Sequence, residues 1–342
     1  MNHDKAVSLI ENSFLKDLLK DENVTDISYN GVDVFYQHND YGRAKFDQGV
    51  SFDEAFDFMR QLSNLSEQFF STSSPILDIS VGKYRINAVH PAIARVGNNK
   101  ALTFSIRISS KNIRIKNDES FMPSSVDDLL KRIVNKKMSI VIAGLTGTGK
   151  TELQKYLLSN MRKNTRIIII DNVLELDQVR SNNNLDISSW QFDERNSQIS
   201  VSSLIKNALR SNPDWLIVAE ARGQEMIDVL NSALTGIPII TTLHSESCET
   251  IISRMTSMVK MNEKKMEDSD IKKDIYSHIH FYLYIKKRVD EDGFIHRFIS
   301  DLMYIDANGK SLKIYDYNDN IKQVKLTPSL MKVLGYTSKE AS

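Results

Sequence analysis

Residues 144–151 read Gly-Leu-Thr-Gly-Thr-Gly-Lys-Thr, the G-x4-G-K-T spacing of a phosphate-binding loop. Backbone N–H groups converge on phosphate oxygens only where no Cβ blocks the approach. Gly144, Gly147 and Gly149 remove that obstruction and permit positive φ, with Thr146 and Thr148 between them. Lys150 is placed to reach β- and γ-phosphates, and Thr151 to offer its hydroxyl to Mg2+. The chemistry this spells is MgATP binding. A helix opening at Lys150 would aim its N-terminal dipole at the anion. A chance glycine loop would lack the apolar strand before it and the helix after it, and both patterns are present here.

Three further candidates stand at the ends of apolar runs. Trp215–Ala219 reads as a buried strand, and Glu220 follows it as metal organiser or general base. Asp171 ends the run Ile167–Ile170, with Glu175 one turn later; a turn-capping role for Asp171 is the competing reading. His244 follows Ile239–Leu243, placed to bond a γ-phosphate or its attacking water. Ligands of parallel α/β sheets bind outside the carboxyl ends of the strands, which is why these termini matter.

The elements that must position them divide the chain. Residues 6–20 carry apolar residues at helical spacing, and Val24–Tyr29 and Val32–Gln37 flank Asn30-Gly31, a two-residue hairpin signal. Ser51 caps a second helix with Phe52, Phe56, Met59 and Leu62 on its apolar stripe. Strands are expected at 83–89 and 101–108. The expectation is an N-terminal α+β domain over 1–112 and a polar linker over 113–124. After it, strands at 138–143, 166–171, 215–219 and 237–243 alternate with helices near 125–136, 150–162, 201–211, 223–234 and 247–260. That alternation means a parallel sheet covered on both faces. Asp292-Gly293 marks a hairpin between 280–288 and 294–305, followed by a strand at 312–317 and a helix near 327–335. Lys260–Lys273 reads as an exposed, mobile helix or loop.

Lys plus Arg equals Asp plus Glu at 44 each, so no overall field draws the chain to nucleic acid. The single cysteine, Cys248, excludes a disulfide framework and a cysteine-rich zinc module. No signal-peptide core and no apolar run of membrane-spanning length is visible, so a cytoplasmic protein with at most peripheral membrane association is expected. The basic run Lys131, Arg132, Lys136 and Lys137 reads as a solvated helix face.

With these residues laid out, the chain resembles the VirB11/CpaF-like branch of the secretion and type IV pilus ATPases. Asn23–Gly31 with Val34–Tyr36 resembles that branch's N-terminal hairpin. Ser74–Asp78, Gly82–Ala88 and Phe104–Arg107 resemble its N-domain signature. Leu209–Asp214 with Glu220-Ala-Arg222-Gly223-Gln-Glu225 resembles its Walker B region, and Thr235-Gly236 through Thr241-Thr242-Leu243-His244, with Arg254 beyond, its His box. The resemblance implies a RecA-like P-loop domain over 125–342 and a hexameric ring with ATP and Mg2+ between N- and C-domains. It places Thr151 and Glu220 at the metal, Asp171 and Glu175 in an acidic box, His244 in the His box, and Arg85 and Arg107 as N-domain arginines. It implies inner-membrane components of a secretion or pilus machine as partners; no direct nucleic-acid partner is expected, on the charge balance. The chain departs from the pattern at Asp171-Asn172, where Glu-Asp is usual, and at Ala219, Ile237 and Ser245. The shortened Asp171 keeps open a slow or non-hydrolysing structural ring. A motor acting on nucleic acid is the other alternative, against which stand zero net charge and no aromatic-basic platform. A small-molecule kinase would need a lid and acceptor pocket that the pattern does not offer.

Overall fold

The computed structural model describes residues 3–110, 112–180, 184–192, 199–262, 265–318 and 323–337. It divides into two compact units: Met1–Asn112 with Val289–Ile295, and Ile113–Arg288 with His296–Ser342.

The first unit is built on β1 (Val24–Tyr29), β2 (Val34–His38), β3 (Gly42–Lys45), β4 (Ile76–Val81), β5 (Tyr84–Val89) and β8 (Thr103–Ile108), with a two-residue ribbon of β6 (Arg95–Val96) and β7 (Asn99–Lys100). The six strands run β3-β2-β1-β8-β5-β4 with antiparallel pairing throughout. Strand alternation turns Ile27, Ile86 and Ile106 into a core shared with Ile10, Met59 and Leu62 from the helices His3–Glu11 and Phe52–Leu65. Two expectations are corrected here. The apolar stripe of Phe52–Leu65 runs through Ala55, Phe58, Met59 and Leu62, while Phe52 is 39% exposed and Phe56 half-buried, stacked on it. The hairpin loop is four residues, closed by the pair Tyr29–Val34, because the Asn30 side chain accepts from the N–H groups of Val32 and Asp33. The Ser51 cap is present and accepts from Glu54 N.

The second unit has β9 (Ile140–Gly144), β10 (Arg166–Asp171), β11 (Asp186–Gln191), β12 (Trp215–Val218), β13 (Ile239–Leu243), β14 (Phe281–Val289), β15 (Ile295–Ile305) and β16 (Ser311–Asp316). Their order is β11-β10-β12-β13-β9-β14-β15-β16, and every pair from β11 through β14 is parallel. Alternate residues of one strand enter opposite cores: Ile140 and Ile142 join one cluster, Val141 and Ala143 the other. The mixed α/β architecture with a two-sided parallel sheet is thus observed. Residues 113–124, read from sequence as a linker, contribute Ile115, Phe121 and Met122 to the first of these cores. Apolar residues spaced between charged ones hide this from a composition-based reading. Part of the segment expected to be exposed folds as the helix Asp268–His278, which buries Ile271 and Ile275; residues 263–264 lie outside the described residues. Among the described residues no helix is long and apolar enough to cross a membrane.

Candidate nucleotide site at the carboxyl edge of the sheet

Parallel pairing puts the carboxyl ends of β9, β10, β12 and β13 on one edge. The register aligns Ile170 with Val218, Val218 with Thr241, and Leu243 with Ala143. The loop after β9 and the residues Asp171, Glu220 and His244 therefore leave the sheet side by side. Two further bonds tie the strand ends together. Thr242 Oγ1 donates to Ala219 O at 2.8 Å, and Ala221 N donates to Thr242 O at 2.8 Å.

In the loop 144–151 the carbonyls of Gly144, Leu145, Gly147 and Gly149 accept from protein donors. Lys150 Nζ donates to Gly144 O at 2.8 Å and Leu145 O at 3.0 Å, and Thr148 Oγ1 also donates to Leu145 O at 2.9 Å. Gly147 O accepts from Arg297 Nε at 2.8 Å, and Gly149 O from Leu153 N at 3.0 Å. Gly147 and Gly149 sit at φ +74° and +101°, the left-handed region that favours glycine. At Gly144 the reason is space: a Cβ would lie 2.6 Å from Ile285 O and 2.7 Å from Thr148 Oγ1. Thr146 is exposed and Thr148 buried, so the two threonines differ in role; Thr148 braces the loop. Thr151 is half-buried in the first turn of the helix Lys150–Ser159. Burial pulls the Lys150 ammonium down to about 8, and the Glu220 carboxylate counters that shift.

Glu220 is the centre of a charged cluster. His244 Nε2 lies 2.8 Å from its Oε1, and Arg222 grips Oε2 with Nε at 3.0 Å and Nη2 at 2.9 Å. Glu225 folds the connecting loop by accepting from the N–H groups of Arg222 and Gly223. Asp171, Asn172, Phe192, Ala219, Glu220 and Arg222 line a small pocket beside this cluster.

Asp171 ends β10 at the same edge, and its hydrogen bonds are those of the turn-capping reading. It is buried, and its carboxylate accepts from Val173 N at 3.1 Å and Glu175 N at 3.0 Å. Burial raises its pKa while these backbone donors oppose the rise. Its visible work is to hold the turn that carries Glu175, the half-buried first residue of a 3-10 helix, Glu175–Val179. Arg85 and Arg107 belong to the first unit. They are cross-strand partners on β5 and β8, with Arg85 3.7 Å from Asp78 and Arg107 3.2 Å from Asp26.

The family model described as "Type II/IV secretion system protein" matches residues 90–276. The chain belongs to the type II/IV secretion system protein family. It is 31% identical over 286 residues to an uncharacterized protein of Bacillus anthracis, covering 82% of this chain and 63% of the relative. It is 32% identical over 186 residues to the type IV secretion system protein VirB11 of Brucella suis, covering 53% of this chain and 51% of that protein. The chain therefore spans only about half to two-thirds of the length of these relatives. The structure of the Legionella pneumophila ATPase DotB superposes with a TM-score of 0.64 at 19% identity, covering 90% of this chain and 81% of that one, a likeness of fold.

The residues of this family member fit MgATP. A Cβ at Gly144 would collide with its surroundings, the Gly147 carbonyl is held by Arg297, Lys150 stands at the mouth of the loop, and a helix N-terminus follows. Thr151 and Glu220 are the residues that would hold the metal, which would supply charge neutralisation at the phosphates. Sequence reasoning missed the wall behind the loop. β14 continues past the end of β9, since Ile285 pairs with Gly144, and so carries Lys287 beside Gly147. β15 adds Arg297, and Phe121 lies against Gly149. The only advance signal was the basic character of both hairpin arms, Lys286-Lys287-Arg288 and His296-Arg297.

Proposed function

We propose that this chain is an ATP-hydrolysing subunit of a hexameric motor that powers secretion, conjugation or type IV pilus-like assembly at the cytoplasmic face of a membrane. The observation that carries the reading is the juxtaposition of a phosphate loop, with its lysine, and the Glu220–His244–Arg222 cluster on one sheet edge. Lys150 would leave the loop carbonyls for the phosphates. Glu220 would organise the metal or accept the proton of the attacking water. Arg222 fixes one carboxylate oxygen and His244 faces the other, so the group is held in place before any ligand arrives. Family membership and the VirB11 relative support the secretion setting.

The test is phosphate release by the purified chain, with Lys150→Ala as the control that should abolish it. Wild-type turnover in that variant would remove the proposal. Light scattering with a non-hydrolysable ATP analogue tests the ring; a strict monomer at micromolar concentration would exclude it. A rate that rises with added DNA would mark a nucleic-acid motor instead.

A further inference from the structure

We infer that Arg297 is a positioning residue of the phosphate loop, acting through the Gly147 carbonyl; the inference rests on the ATP-binding reading above. In a trans peptide the C=O and the next N–H point in opposite directions. Arg297 Nε holds Gly147 O from one side at 2.8 Å, so the Thr148 N–H is aimed to the other, and it donates to no protein acceptor among the described residues. The carbonyls of Gly144 and Leu145 are tied to protein donors too, Lys150 and Thr148 of the loop itself. What sets Gly147 apart is that its donor is not local. Gly147 is exposed and sits at φ +74°, where glycine has wide backbone freedom; within the loop this peptide is braced from the Thr148 side, by its hydroxyl on Leu145 O. The guanidinium comes from β15, 150 residues away in sequence, and its stem passes 3.9 Å from where a Gly149 Cβ would lie. A charged, planar donor suits the task, because a charge-assisted bond to a carbonyl resists flipping better than a neutral one. The carbonyl side of this peptide plane is thus anchored from β15, outside the loop.

The experiment is calorimetric titration of the full chain with MgADP and with a non-hydrolysable MgATP analogue. Arg297→Ala is expected to weaken both by ~10-fold, since an oriented amide serves phosphates common to both ligands. Arg297→Lys, which keeps a donor and the charge, should recover most of the loss. The ratio of wild-type to Arg297→Ala affinity should be the same at about 0.1 M and about 0.5 M salt, whereas simple charge attraction would be screened away. If Arg297→Ala does not fold, Arg297→Met carries the test, because it keeps an apolar stem of similar length along the loop and removes the donor together with its charge, which the salt comparison separates. Wild-type affinity in the donor-free variant, or a deficit that disappears at high salt, overturns the inference. A wild-type chain that binds neither nucleotide overturns the ATP-binding reading and this inference together, whereas wild-type binding with an unaffected variant overturns the inference alone.

Discussion

The affinity for MgATP should fall as pH rises through 8, and the cause is Lys150. Among the described residues its ammonium donates to the Gly144 and Leu145 carbonyls, and burial pulls its pKa down to about 8 with the Glu220 carboxylate opposing the shift. Phosphate oxygens favour the charged form, so binding returns the lysine towards its ordinary value of about 10.4. The sign follows: the bound state holds more protons than the free state between these values, so binding takes up a proton and weakens as pH rises. The free lysine is ~10% neutral at pH 7 and ~90% neutral at pH 9, which makes the apparent affinity ~10-fold weaker at pH 9. The terminal phosphate ionises near about pH 6 and so contributes little across this window. Calorimetry in two buffers of different ionisation enthalpy at pH 8 should register uptake of about half a proton. Lys150→Arg is the control, since a guanidinium stays charged throughout and should give a flat profile. A wild-type affinity that does not change from pH 7 to 9, or the same decline in Lys150→Arg, would refute the argument.

Glu220→Gln should bind MgATP and turn over ~10²-fold more slowly, the scale of losing a general base; single-turnover rates check it. Gly144→Ala should lose nucleotide binding, because the new Cβ would stand 2.6 Å from a backbone oxygen of β14 and the loop or strand must shift; a wild-type dissociation constant would contradict this. The Arg107–Asp26 pair is largely exposed, so Arg107→Ala should cost no more than about 1 kcal/mol of stability in a denaturant melt. We expect single-turnover hydrolysis to fall in Arg107→Ala and Arg85→Ala far more than ATP affinity does; unchanged hydrolysis would leave both arginines as sheet-surface residues.

The phosphate loop was legible in the sequence because its requirements are local. Glycines at 147 and 149 answer the positive φ of the loop itself, while Gly144 also makes room for Ile285 O of β14, and Lys150 and Thr151 open the helix that starts there. The positions of Glu220 and His244 were legible for a related reason: short apolar runs bounded by turns read as parallel strands, and strand ends converge on one edge. Tertiary structure decided what periodicity and composition leave open. It turned Phe58 rather than Phe52 into the first core, because which side of a helix is buried depends on what packs against it. It drew the charged-looking segment 113–124 into a core of the second unit through Ile115, Phe121 and Met122. It also brought Arg297 across 150 residues to Gly147. Such contacts arise from strand order, and nothing in the local sequence records that β14 and β15 lie beside β9 until the chain has closed the sheet.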